Sequence, residues 1–196
     1  MSTLWVIGDS TVSSFEDKYY YPRYGYGTML DKYLNDNVRV VNIALSGRSS
    51  KSYLSEPEYN TLINGMKQGD YLLIGFGHND EKTEKARNAG CYPILCTPIV
   101  RRSASGEWKA TELHITQDVA QYKGGDYALA VRELGKAVGV PVIDMTQLTR
   151  DEYEKLGSDN TIYLHAWPSN NKLSVDNTHT NIWGARVNAY MIMSAV

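Results

Sequence analysis

The sequence predicts an α/β protein built as a three-layer α/β/α sandwich. Two observations predict it: several short runs are dense in Val, Ile and Leu, and segments with helical spacing lie between them. Apolar runs without alternation are typical of parallel strands that are covered on both faces. Strands that alternate with helices form right-handed βαβ units, which place helices on both sides of one sheet.

Five apolar runs are the predicted strands. They are Leu4–Ile7, Val38–Ala44, Tyr71–Phe76, Pro93–Cys96 with Ile99, and Val140–Ile143. The predicted helices are Gly27–Leu34, Tyr59–Met66, Asp126–Val138 and Thr180–Ala195. Gly139 is placed to end the third helix, because glycine readily adopts the left-handed conformation that closes many helices. The chain has no repeats or linkers, so we expect a single domain over residues 1–196.

The connection between the third and fourth strands is short. Only residues 78–91 are available, whereas a parallel crossover needs roughly a dozen residues or more. Glu81–Asn88 supplies about two helical turns, which is barely enough. Either the crossover is unusually short or residues are missing from the chain near Lys82–Ala86.

Composition and charge exclude several classes of function. The net charge of −2 gives no support to nucleic-acid binding, which usually leaves a basic footprint, so we expect no nucleic-acid partner. No apolar run reaches the ~18 residues that span a bilayer, so we expect no membrane partner. The amino terminus does not resemble a signal peptide. We therefore expect a cytoplasmic protein if the chain start is native, or a secreted one if an export signal has been removed.

We expect no cofactor and no metal. The chain has 4 histidines but neither an HExxH motif nor paired-cysteine spacing, so a zinc site would need scattered ligands. The segment after the first strand lacks the G-x-G-x-x-G pattern of dinucleotide sites. The 2 cysteines, Cys91 and Cys96, are predicted to face opposite sides of one strand, which predicts unpaired thiols. The oligomeric state is not determined by any of these features.

Candidate catalytic residues follow the carboxyl ends of different predicted strands. Ser10 follows the first strand, and Asp176 and His179 precede the final helix. A serine hydroxyl needs an adjacent base near neutral pH, and a histidine oriented by a carboxylate supplies one. Residues three apart share one face of a helical turn, so one turn can carry both Asp176 and His179. Taken singly, Asp176 also fits a helix cap, His179 a surface histidine and Ser10 a turn residue.

Two further residues suit stabilisation of an oxyanion. Gly47 follows the second strand and Asn79 the third, so both should reach the edge of the sheet where ligands bind. Gly47 can bring a backbone N–H close, Asn79 can offer its side-chain amide, and the N–H of Ser10 is a third donor. Singly, Gly47 also fits an ordinary turn and Asn79 a loop cap.

Four segments, in this order, resemble the four blocks of the SGNH (GDSL-type) hydrolase superfamily. They are GDST at 8–11, SGRSSKS at 46–52, GHND at 77–80 and DNTHTN at 176–181. The chain is most similar to the rhamnogalacturonan acetylesterase-like branch. The resemblance implies a flavodoxin-like sheet of five parallel strands and metal-free hydrolysis of esters. The segment after the third block is shorter than in relatives, which affects the expected mouth of the cleft.

The resemblance also implies roles for individual residues. Ser10 is then the nucleophile, Gly47 and Asn79 complete the oxyanion hole, and Asp176 with His179 completes the triad. Ser10 would attack an acetyl ester, His179 would pass the proton to the leaving oxygen, and water would release acetate.

The resemblance implies an acetylated carbohydrate as substrate, pectic rhamnogalacturonan or its oligosaccharides. Arg101 and Arg102 follow the fourth strand, where a guanidinium could pair with a uronate. Trp167 could stack on a sugar ring, and His78 could order the oxyanion loop. Each of these residues also fits a plain structural role. The 15 tyrosines, several of them directly after the GDST block, fit either a sugar-binding wall or ordinary packing.

Two other functions fit the sequence. One is a broad short-chain carboxylesterase or thioesterase. The other is a non-catalytic carbohydrate-binding domain on the same scaffold, although a binding protein has no need of an activated serine.

Overall fold

A computed structural model gives the structure of the protein. It describes residues 1–15, 22–76, 87–119, 124–167 and 174–196. The short crossover predicted over residues 78–91, and the suspected gap near Lys82–Ala86, fall largely outside these ranges.

The centre of the fold is a sheet of five parallel strands, as predicted. The strands are β1 (Ser2–Gly8), β2 (Val38–Asn42), β3 (Tyr71–Gly75), β4 (Tyr92–Cys96) and β7 (Val142–Ile143). Their order across the sheet is β2-β1-β3-β4-β7, and all four neighbouring pairs are parallel. This is the order of the flavodoxin-like fold, whose ligands bind beyond the carboxyl ends of the strands.

Both faces of the sheet are covered, because the strands point alternate side chains to opposite sides. On β1, Trp5 and Ile7 pack into one core with the helices at 57–65 and 127–138. Leu4 and Val6 pack into a second core with the helices at 145–156 and 182–194. The same division separates the two cysteines, with Cys91 in the first core and Cys96 in the second. The predicted α/β/α layering is confirmed.

Where the structure describes whole elements, five α-helices and two small antiparallel sheets surround this core. The helices are α1 (Ser50–Tyr53), α2 (Pro57–Gly65), α3 (Tyr127–Val138), α4 (Met145–Leu156) and α5 (Ile182–Ser194). The small sheets pair β5 (Ile115–Thr116) with β6 (Gly125–Asp126), and β8 (His165–Ala166) with β9 (Asp176–Thr180). In the ranges given above, no helix combines the length and the apolar character that crossing a membrane requires.

Helix α3 begins and ends where the sequence predicts. The Asp126 side chain caps it by accepting a hydrogen bond from the Leu129 N–H. Gly139 ends it at φ 62°, the left-handed region in which glycine pays little steric cost.

The predicted helix over Gly27–Leu34 is wrong. This segment instead forms two 3₁₀ helices, Tyr26–Thr28 and Leu30–Tyr33. An α-helix of so few residues is costly to nucleate, and 3₁₀ turns are the usual form of such short pieces. The close approach of Gly27 to the Val12 carbonyl and the Asn42 side chain also leaves no room for a bulkier residue there.

Candidate active site

Ser10 lies in a tight turn directly beyond the carboxyl end of β1. The turn, residues 9–13, is called the nucleophile turn below. The Asp9 carboxylate accepts hydrogen bonds from the backbone N–H (2.9 Å) and the hydroxyl (2.8 Å) of Thr11. The Asp9 carbonyl accepts hydrogen bonds from the N–H groups of Val12 and Ser13. Burial raises the pKa of Asp9, although its hydrogen bonds with Thr11 oppose that shift.

Asp176 and His179 lie in a bulged strand, so their predicted placement on a helical turn is wrong. In the β8–β9 ladder, His165 pairs with Thr180 and Ala166 with Asp176, which leaves residues 177–179 as extra residues on β9. These three residues form the β9 bulge. The Asp176 carboxylate accepts hydrogen bonds from the backbone N–H groups of Thr178 (2.9 Å) and His179 (3.1 Å). The bulge thus brings two side chains together that a regular strand would point to opposite faces.

The structure brings Ser10, His179 and Asp176 into one hydrogen-bonded chain. His179 Nε2 lies 3.0 Å from Ser10 Oγ, and His179 Nδ1 lies 2.8 Å from Asp176 Oδ2. Because an ionised carboxylate only accepts, Nδ1–H donates to Asp176 and Nε2 is free to accept from the serine hydroxyl. The ring of Phe15 packs edge-on against the His179 ring at 6.2 Å between centroids. The tautomer of His179 with its proton on Nδ1 is the one that a general base requires.

The carboxylate of Asp176 is ionised by its surroundings. Burial alone would raise its pKa, but hydrogen bonds from the His179 ring and from the backbone of Thr178 and His179 lower the pKa well below its ordinary value. Arg23 also donates to Oδ2 from Nε at 2.9 Å, and its Nη2 forms an ion pair with the same oxygen at 2.8 Å. The orienting acid is therefore ionised near neutral pH.

His165 supports the backbone of Asp176 from beneath. Its Nδ1–H donates to the Asp176 carbonyl at 2.9 Å, and its Nε2 accepts from the Tyr153 hydroxyl at 2.8 Å. Burial lowers the pKa of His165 to about 4, so the ring is neutral in this network. A buried histidine of β8, itself hydrogen-bonded to Tyr153 of α4, thereby holds the backbone of the acid in the candidate triad.

Arg102 holds the β9 bulge rather than a substrate. Its guanidinium donates to the Asn177 side chain (3.1 Å), to the Thr161 hydroxyl (3.0 Å) and to the Ser158 carbonyl (2.8 Å). Its backbone N–H donates to the Asn177 carbonyl. Since the side chain is buried and its donors are used internally, the predicted pairing of Arg102 with a uronate is wrong.

Gly47 follows the end of β2 in a conformation that favours glycine. The Leu45 N–H donates to the Gly8 carbonyl, which ties the chain leaving β2 to the start of the nucleophile turn. Gly47 has φ +73° and nothing lies within 4 Å of where a Cβ would stand. Among the residues that the structure describes, neither the Gly47 nor the Ser10 N–H donates to another group. Both donors are available for a ligand.

The remaining predicted site residues have different outcomes. Arg101 and Trp167 are exposed, and the Trp167 indole N–H donates to the Ile162 carbonyl at 3.4 Å. Asn79 and His78 lie outside the described residues. Tyr26 is fully buried in the core, so at that position packing rather than sugar binding accounts for the tyrosine.

The sequence does not predict three residues that surround Asp176. Arg23 follows the tyrosine-rich stretch, and nothing in its neighbours marks it as a partner of a residue 153 positions away. His165 and Tyr153 have no spacing signal of their own. A single histidine two residues before Trp167 was the one available hint, since a buried histidine needs partners for both ring nitrogens.

The described residues contain no group of three or more His, Cys, Asp and Glu side chains that could hold a metal ion. The expectation that the protein uses no cofactor stays a prediction.

Comparison with solved structures identifies the fold. The protein YxiM of Bacillus subtilis superposes with a TM-score of 0.77 at 21% identity, over 99% of this chain and 55% of that one. The acetylxylan esterase Axe2 of Geobacillus stearothermophilus superposes with a TM-score of 0.65 at 16% identity, over 99% and 93% of the two chains. The predicted fold, that of the SGNH hydrolases, is confirmed.

Sequence comparison gives the nearer relationship. The chain is 28% identical to the rhamnogalacturonan acetylesterase RhgT of Bacillus subtilis (strain 168), over 98% of this chain and 88% of that protein. It is 27% identical to the rhamnogalacturonan acetylesterase of Emericella nidulans, over 99% and 84%. No protein-family model matches the chain. These matches confirm the predicted relationship to the rhamnogalacturonan acetylesterase-like branch and the predicted class, a carboxylic ester hydrolase.

Proposed function

We propose that this protein is a serine O-acetylesterase that removes acetyl groups from pectic carbohydrate, with Ser10 as nucleophile. One observation carries the proposal: the hydroxyl of Ser10, the ring of His179 and the carboxylate of Asp176 form a continuous chain of contacts of 3.0 and 2.8 Å. This chain lies at the carboxyl edge of a parallel sheet, where ligands bind in such folds.

The geometry supports an acyl-enzyme mechanism. Ser10 Oγ attacks the acetyl carbonyl while His179 Nε2 takes its proton, and Asp176 stabilises the imidazolium that forms. The N–H groups of Ser10 and Gly47 then donate to the oxyanion, together with the predicted amide of Asn79. His179 next gives its proton to the leaving sugar oxygen. A water molecule, deprotonated by the same nitrogen, attacks the acetyl-serine and releases acetate.

The choice of a carbohydrate ester rests on relatives and on two exposed side chains. The two sequence relatives described above are named rhamnogalacturonan acetylesterases. Trp167 is 39% exposed, and an exposed indole can stack on a sugar ring. Arg101 is exposed after β4, where its guanidinium can pair with a uronate carboxylate.

The nucleophile is tested by Ser10→Ala. We expect the variant to fold normally but to lose p-nitrophenyl acetate turnover by at least about 10³-fold, because the covalent step is removed. A fluorophosphonate probe should label the wild-type protein at Ser10 and leave the variant unlabelled. Ser14→Ala is the matched control, since Ser14 is an exposed serine directly after the same turn. A variant of Ser10 with wild-type turnover would eliminate Ser10 as the nucleophile.

The substrate is tested by a comparison of acetate release. Acetylated rhamnogalacturonan oligosaccharides, acetylated xylan and acetyl-CoA are offered to the wild-type protein at equal ester concentration. We expect the highest kcat/KM on rhamnogalacturonan. A preference for acetyl-CoA would contradict the carbohydrate esterase and indicate a thioesterase. A preference for acetylated xylan would support the proposed reaction but contradict the proposed sugar.

A further inference from the structure

A short segment links the two halves of the candidate active site. The segment comprises residues 22–26 and is called the bridging segment below. At one end, the N–H groups of Gly25 and Tyr26 donate to the carbonyls of Ser13 and Thr11 in the nucleophile turn. At the other, the Tyr24 N–H donates to the Thr180 carbonyl (2.8 Å), and the Thr180 hydroxyl donates back to the Tyr24 carbonyl (2.8 Å). The segment therefore fixes the nucleophile turn against the strand that carries His179.

Arg23 projects from this segment onto Asp176. Its Nε donates to Oδ2 at 2.9 Å and its Nη2 forms an ion-pair contact with Oδ2 at 2.8 Å, and this is the same oxygen that accepts from His179 Nδ1. The side chain of Asp176 is 11% exposed and that of Arg23 is 29% exposed. A charge-assisted hydrogen bond with an adjoining ion-pair contact restricts the direction of the carboxylate more than a neutral hydrogen bond does.

The two oxygens of Asp176 are thus held from different parts of the chain. Oδ1 is held by the β9 bulge through the N–H groups of Thr178 and His179. Among the described residues, Oδ2 has two partners, His179 and Arg23. Without Arg23, His179 would be the one described partner of this oxygen, and rotation of the carboxylate would carry the imidazole away from Ser10.

We propose that Arg23 is a positioning residue for the triad, which holds Asp176 Oδ2 so that His179 Nε2 stays within reach of Ser10 Oγ. The proposal rests on the proposed function of Ser10, Asp176 and His179. Arg23 does not touch the reacting atoms, so its effect is expected on kcat rather than on KM. A displacement of about 1 Å in a catalytic group can lower a rate by as much as about 100-fold.

The first test compares Arg23→Gln with wild type on p-nitrophenyl acetate. We expect kcat to fall by about 10-fold or more, with KM within about 2-fold of wild type. Arg39→Gln is the matched control, because Arg39 is an exposed arginine of β2 that pairs with Thr3 near the other end of the sheet. Guanidinium at low concentration should restore part of the lost kcat in Arg23→Gln and should not change Arg39→Gln. A kcat equal to that of Arg39→Gln, or a loss confined to KM, would overturn the proposal.

The second test asks whether Arg23 acts through Asp176. In the Asp176→Asn background, Arg23→Gln should have little further effect, because the carboxylate that it positions is gone. An equal fold-loss from Arg23→Gln in both backgrounds would mean that Arg23 acts independently and would overturn the proposal. Labelling by a fluorophosphonate gives the rate where turnover is too slow to measure.

Arg23→Lys keeps the test decisive if Arg23→Gln does not fold. Lysine keeps the charge, but its ammonium is a point donor on a flexible chain and cannot present an N–H in the fixed plane of a guanidinium. We expect a folded protein, by circular dichroism, with a kcat between those of wild type and Arg23→Gln, or below wild type if Arg23→Gln is unfolded. A wild-type kcat in Arg23→Lys would overturn the proposal. Failure of the proposed function would be seen separately, as wild-type turnover in Ser10→Ala.

Discussion

Asp176 is the residue at which most hydrogen bonds of the candidate site meet. Its carboxylate accepts from the side chains of Arg23 and His179 and from the backbone N–H groups of Thr178 and His179. Its carbonyl accepts from His165. Asp176, the acid of the candidate triad, therefore also holds the β9 bulge, which carries His179.

The first prediction at the scale of residues concerns Asp176→Asn. The asparagine must turn its oxygen toward the two backbone N–H groups, which leaves its NH₂ facing His179 Nδ1 and Arg23. His179 then carries its proton on Nε2, where it cannot accept from Ser10. We expect kcat on p-nitrophenyl acetate to fall on the order of 10³ to 10⁴-fold. A steady-state assay measures this, with circular dichroism as the control for folding, and a loss of less than about 10-fold would contradict the assigned tautomer.

At this scale the sequence predicts the residues of the candidate triad but not the residues that hold them. Ser10, Asp176 and His179 belong to short motifs, and their contacts lie either within one motif or between two motifs. Arg23 and Arg102 have no motif, and whether each binds a substrate or another side chain depends on partners far away in the chain. Arg102 illustrates this, since its position after β4 indicated a substrate contact while its guanidinium is buried against Asn177, Thr161 and Ser158.

At the scale of elements, the β9 bulge sets the relative positions of the candidate residues Asp176 and His179. The spacing of Asp176 and His179 is equally compatible with a helical turn, which was the predicted form. The partner strand β8 has only two residues, 165–166, which is too short for a periodic pattern that predicts a strand. The pairing of His165 with Thr180 is a tertiary contact, and that contact converts the segment into a bulged strand.

The second prediction concerns the start of α5, which packs tightly on the 3₁₀ helix Asn160–Leu164. A Cβ on Gly184 would collide with the Leu164 carbonyl and with the Thr180 side chain. Gly→Ala in an exposed helix stabilises by about 1 kcal/mol, but here we expect a destabilisation of about 1 to 3 kcal/mol. Urea unfolding at neutral pH measures it. Gly125→Ala is the control, because nothing lies within 4 Å of a Cβ there, and its expected change is within about 0.5 kcal/mol.

At the scale of the whole molecule, buried ionisable groups predict acid sensitivity. His165 has its pKa lowered to about 4 by burial, from an ordinary value of 6.5. Between these values the unfolded chain binds more protons than the folded one, so stability falls as the pH falls from 6.5 to 4. Asp70, Asp144 and Asp176 have lowered pKa values because hydrogen bonds outweigh their burial. Their contribution is lost at lower pH still, as each carboxylate becomes protonated.

Asp9 acts in the opposite direction. Because its pKa is raised by burial, the folded state binds more protons than the unfolded state above the ordinary pKa of a carboxyl group. This group alone would make the protein more stable as the pH falls through that window. The three carboxyl groups named above, His165, and His114, whose pKa is also lowered by burial, all act against Asp9, so we expect a net loss of stability in acid.

The third prediction isolates His165. We expect the free energy of unfolding of the wild-type protein, measured in urea, to fall by an amount on the order of 3 kcal/mol between pH 7 and pH 4 from this residue alone. His165→Asn keeps a donor near the Asp176 carbonyl but does not titrate. It should be less stable than wild type at pH 7 and should lose less stability on acidification. Equal losses in the two proteins would contradict the assigned role of His165.

The sequence by itself determined the layered α/β fold, the order of its main elements and the three residues of the candidate triad. Each of these depends on local periodicity or on short motifs at the ends of strands, which are written in adjacent residues. Only the tertiary structure decided that Asp176 and His179 lie on a bulge, that Arg23 pairs with Asp176 and that Arg102 is internal. The physical reason is that hydrogen bonds and burial depend on residues that are distant in the chain. The same arginine side chain faces solvent or forms buried hydrogen bonds according to which distant residues lie next to it.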